Sequence, residues 1–533
     1  MDTKALRQKI LDLAIRGKLV PQNPNDEPAS ILLEKIREQK QQMFKEGKLK
    51  KKDIKNDSII FKGEDNLHYE KFQDGTVKCI EDEIPFEIPE GWAWCRLYSL
   101  SVKIGAGSTP TGGAAVYTTS GIKFIRSQNV YNDGLILNDV AYISEEINQK
   151  KSGSIVKPKD ILLNITGGSI GRCALVPDEF DIANVNQHVM IIRLTNIEFR
   201  KYIHSVITSS YIQKQIFSRQ VGSGRGGLSA ETLSTFLIPL PPRNEQILIT
   251  DKLNDCISQI LTIANEQCKI NDLVSKAKAK ILDLAIRGKL VPQNPADEPA
   301  SVLLERIRAE KEELIKQCKI KRDKKESIIF KGEDNSYYER VGDIISNIDD
   351  EIPFKLPQNW EWSRLQTICY PITDGTHKTP TYSDSGYIFL SAKNITAGKI
   401  DWNDVMYIPK SLHDELYSRV SPKMNDILLA KNGTTGVAAI VDRECEFDIY
   451  VTLALLRVVN HDISSQYLLK IIASTTIQDY FKSSLKGIGV PNLHLEHIRT
   501  TLIPIAPINE QKKIAEKISQ YYSLLDYIDQ NVE

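Results

Sequence analysis

The sequence predicts an α+β protein: two similar mixed α/β modules separated by two long antiparallel helices, in a circular, pseudo-twofold arrangement. Three observations carry that expectation. The stretch Ile10 to Pro24, ILDLAIRGKLVPQNP, returns letter for letter at Ile281 to Pro295. A heptad seam runs through the middle of the chain, from Ile249 to Leu284. The same seam, cut into two pieces, stands at the two ends of the chain.

Taken in order, Leu6, Ile10 and Leu13 fall on one helical face, and Gly17 followed by Pro21 marks its stop. A second helix is expected from Ile31 to about Lys45, with Ser30 as its N-cap and Glu34 near the first turn. The charged run Lys48 to Asp57 reads as a solvated linker. SIIFKGEDN then occurs at Ser58–Asn66 and Ser327–Asn335, and DEIPF at Asp82–Phe86 and Asp350–Phe354. Tryptophan pairs follow (Trp92, Trp94; Trp360, Trp362) and read as core anchors rather than base-stacking platforms.

Beyond the tryptophans the pattern changes to short β-rich segments, and identity between the copies falls while the skeleton stays recognisable. Residues 121–129 match 386–394, and Asp160-Ile-Leu-Leu matches Asp426-Ile-Leu-Leu. Each of the latter is followed by a glycine-bearing turn, Thr166–Arg172 or Lys431–Gly436. Helical segments at Phe199–Phe217 and Ser464–Phe481 precede a glycine loop and a closing strand, LIPL or LIPI. Each half ends on Asn-Glu-Gln, at Gln246 and Gln511.

In the central seam Leu253, Cys256, Ile260, Ile263, Ile270, Val274, Ala277 and Ile281 recur at coiled-coil spacing, with Gln267 the polar member. Ile514, Ile518, Tyr521, Leu525, Ile528 and Val532 repeat its first part; Thr3, Leu6, Ile10 and Leu13 repeat its last. Side by side, the chain's ends rebuild a second copy of the central helix. From Ile249 to Leu284 that ruler is roughly 54 Å long at about 1.5 Å per residue. The expected divisions are a helical region and linker over 1–81, a first module over 82–243, the central helix and linker over 244–349, a second module over 350–508 and a closing helix over 509–533.

Composition excludes several classes. The 533 residues are 41% hydrophobic and 26% charged, with 69 basic and 69 acidic side chains, so a nucleic-acid surface must be a local patch. No run of about 18 apolar residues occurs and the opening MDTKALRQKI has no apolar signal stretch, which gives the expectation of a cytoplasmic protein without a membrane. The eight cysteines lack paired metal spacing and read as reduced structural thiols. No H-E-x-x-H, G-x-S-x-G or Walker A motif is present, and Gly222–Gly227, which formally fits G-x-G-x-x-G, does not follow a strand. Catalytic, metal and cofactor-binding residues are therefore expected to be none.

Together, LIPLPPRNEQ ending at Gln246, the LDLAIRGKLVPQ stretches and the paired modules make the chain resemble the specificity (S) subunit of Type I restriction–modification enzymes, over nearly its whole length. The resemblance implies that each module is a target recognition domain reading one half of a bipartite, asymmetric double-stranded DNA site. It implies helices that set the spacing and dock two methyltransferase (M) subunits. It also implies a non-catalytic chain, with S-adenosylmethionine held by the M subunits, and ATP and Mg by restriction (R) subunits.

Base and phosphate contacts come from Arg, Lys, Asn, Gln and hydroxyl side chains on loops. In the first module the candidates are Ser108, Thr109, Thr111, Arg126, Gln128, Asn129, Arg172 and Arg225. In the second they are Thr376, His377, Lys378, Thr379, Lys393, Asn394, Lys431 and Asn432. The competing reading is a coiled-coil scaffold holding two protein-binding modules, which salt-dependent DNA affinity would separate from the first. A self-sufficient nuclease or methyltransferase is disfavoured by the missing Asn-Pro-Pro-aromatic and cofactor motifs.

Overall fold

The structure is a computed structural model describing residues 2–220, 226–322, 326–396, 398–460, 462–485 and 491–532. The chain divides into two compact units, 1–266 and 267–533.

In the first unit the helix Thr3–Ile15 is capped by Asp2, whose carboxylate accepts from the Ala5 amide. It stops where Gly17 takes a φ of 66°, and a Cβ there would stand 2.3 Å from Pro89. Gly288 repeats this against Pro357 at 2.5 Å. The helices Ala29–Lys45 and Ala300–Lys316 come next. Ser30 is not the N-cap: Pro28 holds that position without a side-chain bond, and the Ala29 amide donates to Gly91 O. With the Ile31 amide donating to Pro28 O, backbone carbonyls serve these amides at the helix entry in place of a hydroxyl cap.

The charged run is not a solvated linker either. It contains a short helix, Lys51–Ile54, with Ile54 buried, and Asp57 is buried 2.6 Å from Lys40. Burial pushes the Lys40 amine down and the Asp57 carboxyl up, each opposed by the other's charge. In the second unit Lys311 meets Glu326 at the same distance. The repeated SIIFKGEDN forms the first strand and turn of a three-stranded antiparallel meander, Ser58–Lys62, His68–Phe72 and Val77–Cys79, and again Ser327–Lys331, Tyr337–Val341 and Ile344–Asn347.

Each module is a layered sandwich around a four-stranded antiparallel sheet. In the first unit its order is Cys173–Leu175, Ile161–Asn164, Val189–Leu194, Ser101–Ala106; in the second it is Ala438–Ile440, Ile427–Ala430, Leu453–Val458, Cys369–Asp374. Strand periodicity sends alternate residues to opposite faces. Ile161 and Leu163 enter the cluster with the helices and Trp92, while Leu162 packs with Ile125, Val156 and Val185 of a second, mixed sheet. Ile427 and Leu429, against Leu428, divide in the same way. Burial on both faces explains the unbroken apolar runs in these strands. The expected helical segments are each two helices, Arg200–Thr208 with Ser210–Ser218 and Ser465–Ile472 with Thr475–Ser483, the first pair breaking at the extended, buried Ser209.

The twice-written stretches meet the Asn-Glu-Gln endings. Trp92 Nε1 and Gln22 donate to Glu245, each at 2.9 Å, and Asn244 donates to Asp26. Trp360, Gln293 and Asn509 make the same three bonds to Glu510 and Asp297. Burial raises the Glu245 and Glu510 carboxyls above their ordinary value, opposed by these donors. The four tryptophans of the two pairs, Trp92, Trp94, Trp360 and Trp362, are buried, as core anchors should be.

The central seam lies in one helix of 44 residues, Arg243–Ile286. Ile249, Leu253, Ile260 and Val274 are buried in it and Gln267 is half-buried. Within the second unit the closing helix Ile508–Val532 runs antiparallel to its last part: Glu510 meets Gln293 at one end, and Asp526 meets Lys278 at the other. The cysteines are unpaired, and Cys79, Cys268 and Cys318 are exposed, so these three are surface thiols rather than core ones.

Candidate nucleic-acid interface

In each module several loops converge at one end of the four-stranded sheet. The first begins where strand Ser101–Ala106 meets Gly107, which lies so close to the neighbouring strand that a Cβ would stand 1.8 Å from Val185 O. Only glycine fits such an approach. The loop is then held from outside: Lys151 Nζ donates to Ser108 Oγ at 2.6 Å, and the Thr109 hydroxyl donates to Gln187. His188, beside Gln187, reaches Thr166 of the glycine turn, whose backbone bridges to Gly227. Asn164 joins the remaining loop by donating to Ser127 O at 2.8 Å and to Ser169 Oγ at 3.2 Å.

Among the expected contacts, Ser108, Thr109, Thr111 and Gln128 are exposed here. Arg126 and Arg172 are half-buried; the first donates to Asp139 O and the second lies 4.5 Å over the Tyr131 ring. Gln128 donates to the Asp139 carboxylate at 3.1 Å. Asn129 is 2% exposed, and its carboxamide accepts from the Arg126 amide and donates to Ile136 O. It closes its own turn and presents no free edge. Arg225 lies outside the described residues.

The second module keeps the frame and changes the chemistry. Gly375 approaches the adjacent strand as Gly107 does, with a Cβ 1.9 Å from Ile449 O. Arg419 holds the loop in place of Lys151, donating to Gly375 O at 2.7 Å. His377, Lys378 and Thr379 are exposed, while Thr376 is buried and its carbonyl accepts from the Val451 amide. Lys431 is 4% exposed and its amine donates to Asp374 at 2.6 Å. Asn432 is half-buried and bridges to Asn492. Lys393 is exposed, 3.6 Å from Asp404, and Asn394 closes its turn as Asn129 does, accepting from the Ser391 amide.

The structure therefore brings the described candidates of each module to one end, with Asn129, Thr376, Asn394 and Lys431 inside it rather than on its surface. Sequence reasoning missed Lys151, Gln187 and His188 in the first module, and Asp374 and Arg419 in the second. Lys151 and Arg419 stand nine and seven residues before the matched Asp160 and Asp426, so position in the repeat gave no signal for them. Among the described residues no group of His, Cys, Asp and Glu is placed to hold a metal ion, and no helix is long and apolar enough to cross a membrane. What these ends offer is hydrogen-bond donors and acceptors on loops fixed by a rigid sheet.

The family model of the Type I restriction modification DNA specificity domain matches residues 89–272 and 357–532. The chain is 26% identical to the Type I restriction enzyme EcoAI specificity subunit of Escherichia coli, covering 97% of this chain and 88% of that one. It is 24% identical to the EcoEI specificity subunit of the same species, covering 99% and 91%. Its fold is shared with a chain in a solved structure concerning complex assembly and conformational transition of the type I R-M system. That match has a TM-score of 0.53 at 15% identity and covers 84% of this chain and 94% of the other.

Proposed function

The chain belongs to the Type I restriction modification DNA specificity family, and from that premise we propose that it is the non-catalytic, sequence-reading subunit of a Type I restriction–modification complex. Each module reads one half of a bipartite double-stranded DNA site. The observation that carries this reading is the contrast at the loop ends: one frame, built twice with matched bonds, presents Ser108, Thr109, Thr111 and Gln128 in one unit and His377, Lys378, Thr379 and Lys393 in the other. Different donors on the same frame read different bases, so the two half-sites differ. Asn129 and Asn394 serve by shaping the turns that carry the readers.

The helical frame has a separate task. The residues written twice lie in the helices, the meander and the Glu245 and Glu510 clusters, so the two units present the same surface twice. That supports docking of two methyltransferase subunits, with the long helix setting the distance between half-sites. The divisions 82–243 and 350–508 are then the two target recognition domains. S-adenosylmethionine belongs to the methyltransferase subunits, and ATP and Mg to restriction subunits.

Methylation mapping of a genome carrying this system tests the reading. A two-part motif with unlike halves is expected, and replacing Ser101–Leu237 by another module should change one half alone. A change in both halves would overturn the modular assignment. Equal binding of cognate and random duplexes by the assembled complex, at matched salt, would overturn sequence reading itself.

A further inference from the structure

The two reading ends differ most at a pair of matched positions beneath the loops. Ala106 pairs with Met190 on the neighbouring strand, and Asp374 pairs with Ala454 in the same place. Ile165 donates its amide to His188 O and accepts from the Leu228 amide; Lys431 does the same with Thr452 and Leu493. The first unit therefore has Ala106 and Ile165 where the second has a carboxylate and an amine joined at 2.6 Å. Stability is weak grounds for such a pair, because uncharged residues of similar size often do as well or better. What it adds here is a fixed geometry.

That geometry leads to the surface. Asp374 is the last residue of its strand and precedes Gly375. One carboxylate oxygen takes the Lys431 amine and the other faces His377 Nε2 at 3.4 Å. The His377 side chain is 68% exposed at the tip of the loop. Arg419 fixes the same loop by donating to Gly375 O and to Asp374 O. Lys431 thus holds Asp374, and Asp374 holds the ring that projects from the reading end. In the first unit the position of His377 is taken by Thr109, held sideways by Gln187.

We propose that the buried Lys431–Asp374 pair is a specificity-determining positioning device, which orients His377 toward the DNA bases and makes the second half-site unlike the first. This rests on the reading of the chain as a DNA-recognition subunit. Neither Lys431 nor Asp374 touches a base; the imidazole of His377 does, with the nitrogen turned away from Asp374.

The test uses the full chain assembled with its methyltransferase subunits and maps methylation over a randomised library of sites. The double variant Asp374→Ala with Lys431→Ile writes the first unit's residues into the second and leaves no buried charge alone. It should relax discrimination by about tenfold at one or two adjoining positions of one half-site, the size of one lost base contact, with the other half unchanged. His377→Ala should relax the same positions, and Lys431→Arg, which keeps the cation, should retain most of the discrimination. An unchanged motif in the double variant overturns the proposal, as does a uniform loss of methylation at all sites with base preference intact, the mark of a merely structural pair. A wild-type map with no two-part site sinks the DNA-recognition reading as a whole, and that result is distinct from either.

Discussion

Asn184 and Asp448 occupy the same place in the two units, on strands that run parallel to Ile122–Ile125 and Tyr387–Leu390. In the first unit the Asn184 carboxamide accepts from Ser154 at 2.7 Å and donates to Asn148 and to Lys151 O, each at 3.1 Å. In the second the Asp448 carboxylate meets His413 Nδ1 at 2.7 Å, under the Tyr387 ring stacked 3.7 Å from the imidazole. A neutral amide network has become an ionisable one. With Ala106 and Ile165 against Asp374 and Lys431, this makes a consistent difference: the frame around Glu245 and Glu510 is matched bond for bond, while the modules keep some buried pairs, such as Arg193–Asp160 and Arg457–Asp426, and rebuild others. On the proposed reading the frame presents the same docking surface twice, and the modules do not share that requirement.

The largest expected effects fall on the shared frame, and there the units should respond alike. Trp92→Ala and Trp360→Ala each remove a buried indole and leave Glu245 or Glu510 with only its glutamine donor, Gln22 or Gln293. Each should cost about 3–5 kcal/mol in its own unit, followed by urea unfolding with fluorescence from the remaining tryptophans. If one substitution proved costly and the other neutral, the equivalence of the two frames would be lost.

The next effect separates the units. Lys431→Ala leaves the Asp374 carboxylate largely buried and alone, a loss of about 3 kcal/mol. Ile165→Ala at the matched position removes only packing, for about 2–4 kcal/mol. Size does not discriminate between them, but rescue does. Adding Asp374→Ala to Lys431→Ala should recover much of the stability, since the stranded charge goes with it. Adding Ala106→Ser to Ile165→Ala should recover none. Denaturation midpoints of the four variants decide this, and absence of rescue in the second unit would mean that the ion pair is not what the single substitution breaks.

How much of this was legible in the sequence follows from the range of each interaction. The repeats, the central seam and the tryptophan anchors are periodic or duplicated patterns, and the folded chain keeps them. Ser30 failed as a cap because the helix entry is set by Pro28 and a bond to Gly91, far along the chain. Asn129 and Asn394 look like exposed tip residues, yet each folds back on its own short turn. Lys431 opens a glycine-bearing turn that suggests a surface loop, and its partner Asp374 is 57 residues away. Charge type was readable; which charges face each other across the sheet was not.

A smaller effect depends on pH. Burial raises the Asp448 carboxyl above its ordinary value, opposed by His413. A raised folded-state pKa means that the native unit holds this proton more tightly than the unfolded chain does. The resulting stability is whole below about pH 4 and is lost as pH rises through the raised value. Asn at 448 cannot titrate, so wild-type stability minus that of Asp448→Asn should fall as pH climbs through that window. Asn184→Asp should import the same slope into the first unit. A flat or rising difference in urea unfolding, measured across the pH series, would remove the ionisable interior as a real distinction between the units.

The smallest effect compares two lysines of one reading end. Lys378 is exposed and Lys431 is buried against Asp374. An exposed cation that meets a phosphate releases about one counterion, so Lys378→Ala should lower the salt slope of DNA affinity in the assembled complex by about 0.9, with base preference unchanged. Lys431 has its charge neutralised by Asp374 before DNA arrives and has no counterion to displace. Lys431→Arg should therefore leave the slope as it was. Titrations of cognate duplex over a range of salt measure both. Equal slopes for Lys378→Ala and wild type would show that the loop at His377 stands clear of the phosphates, leaving base edges as the surface it meets.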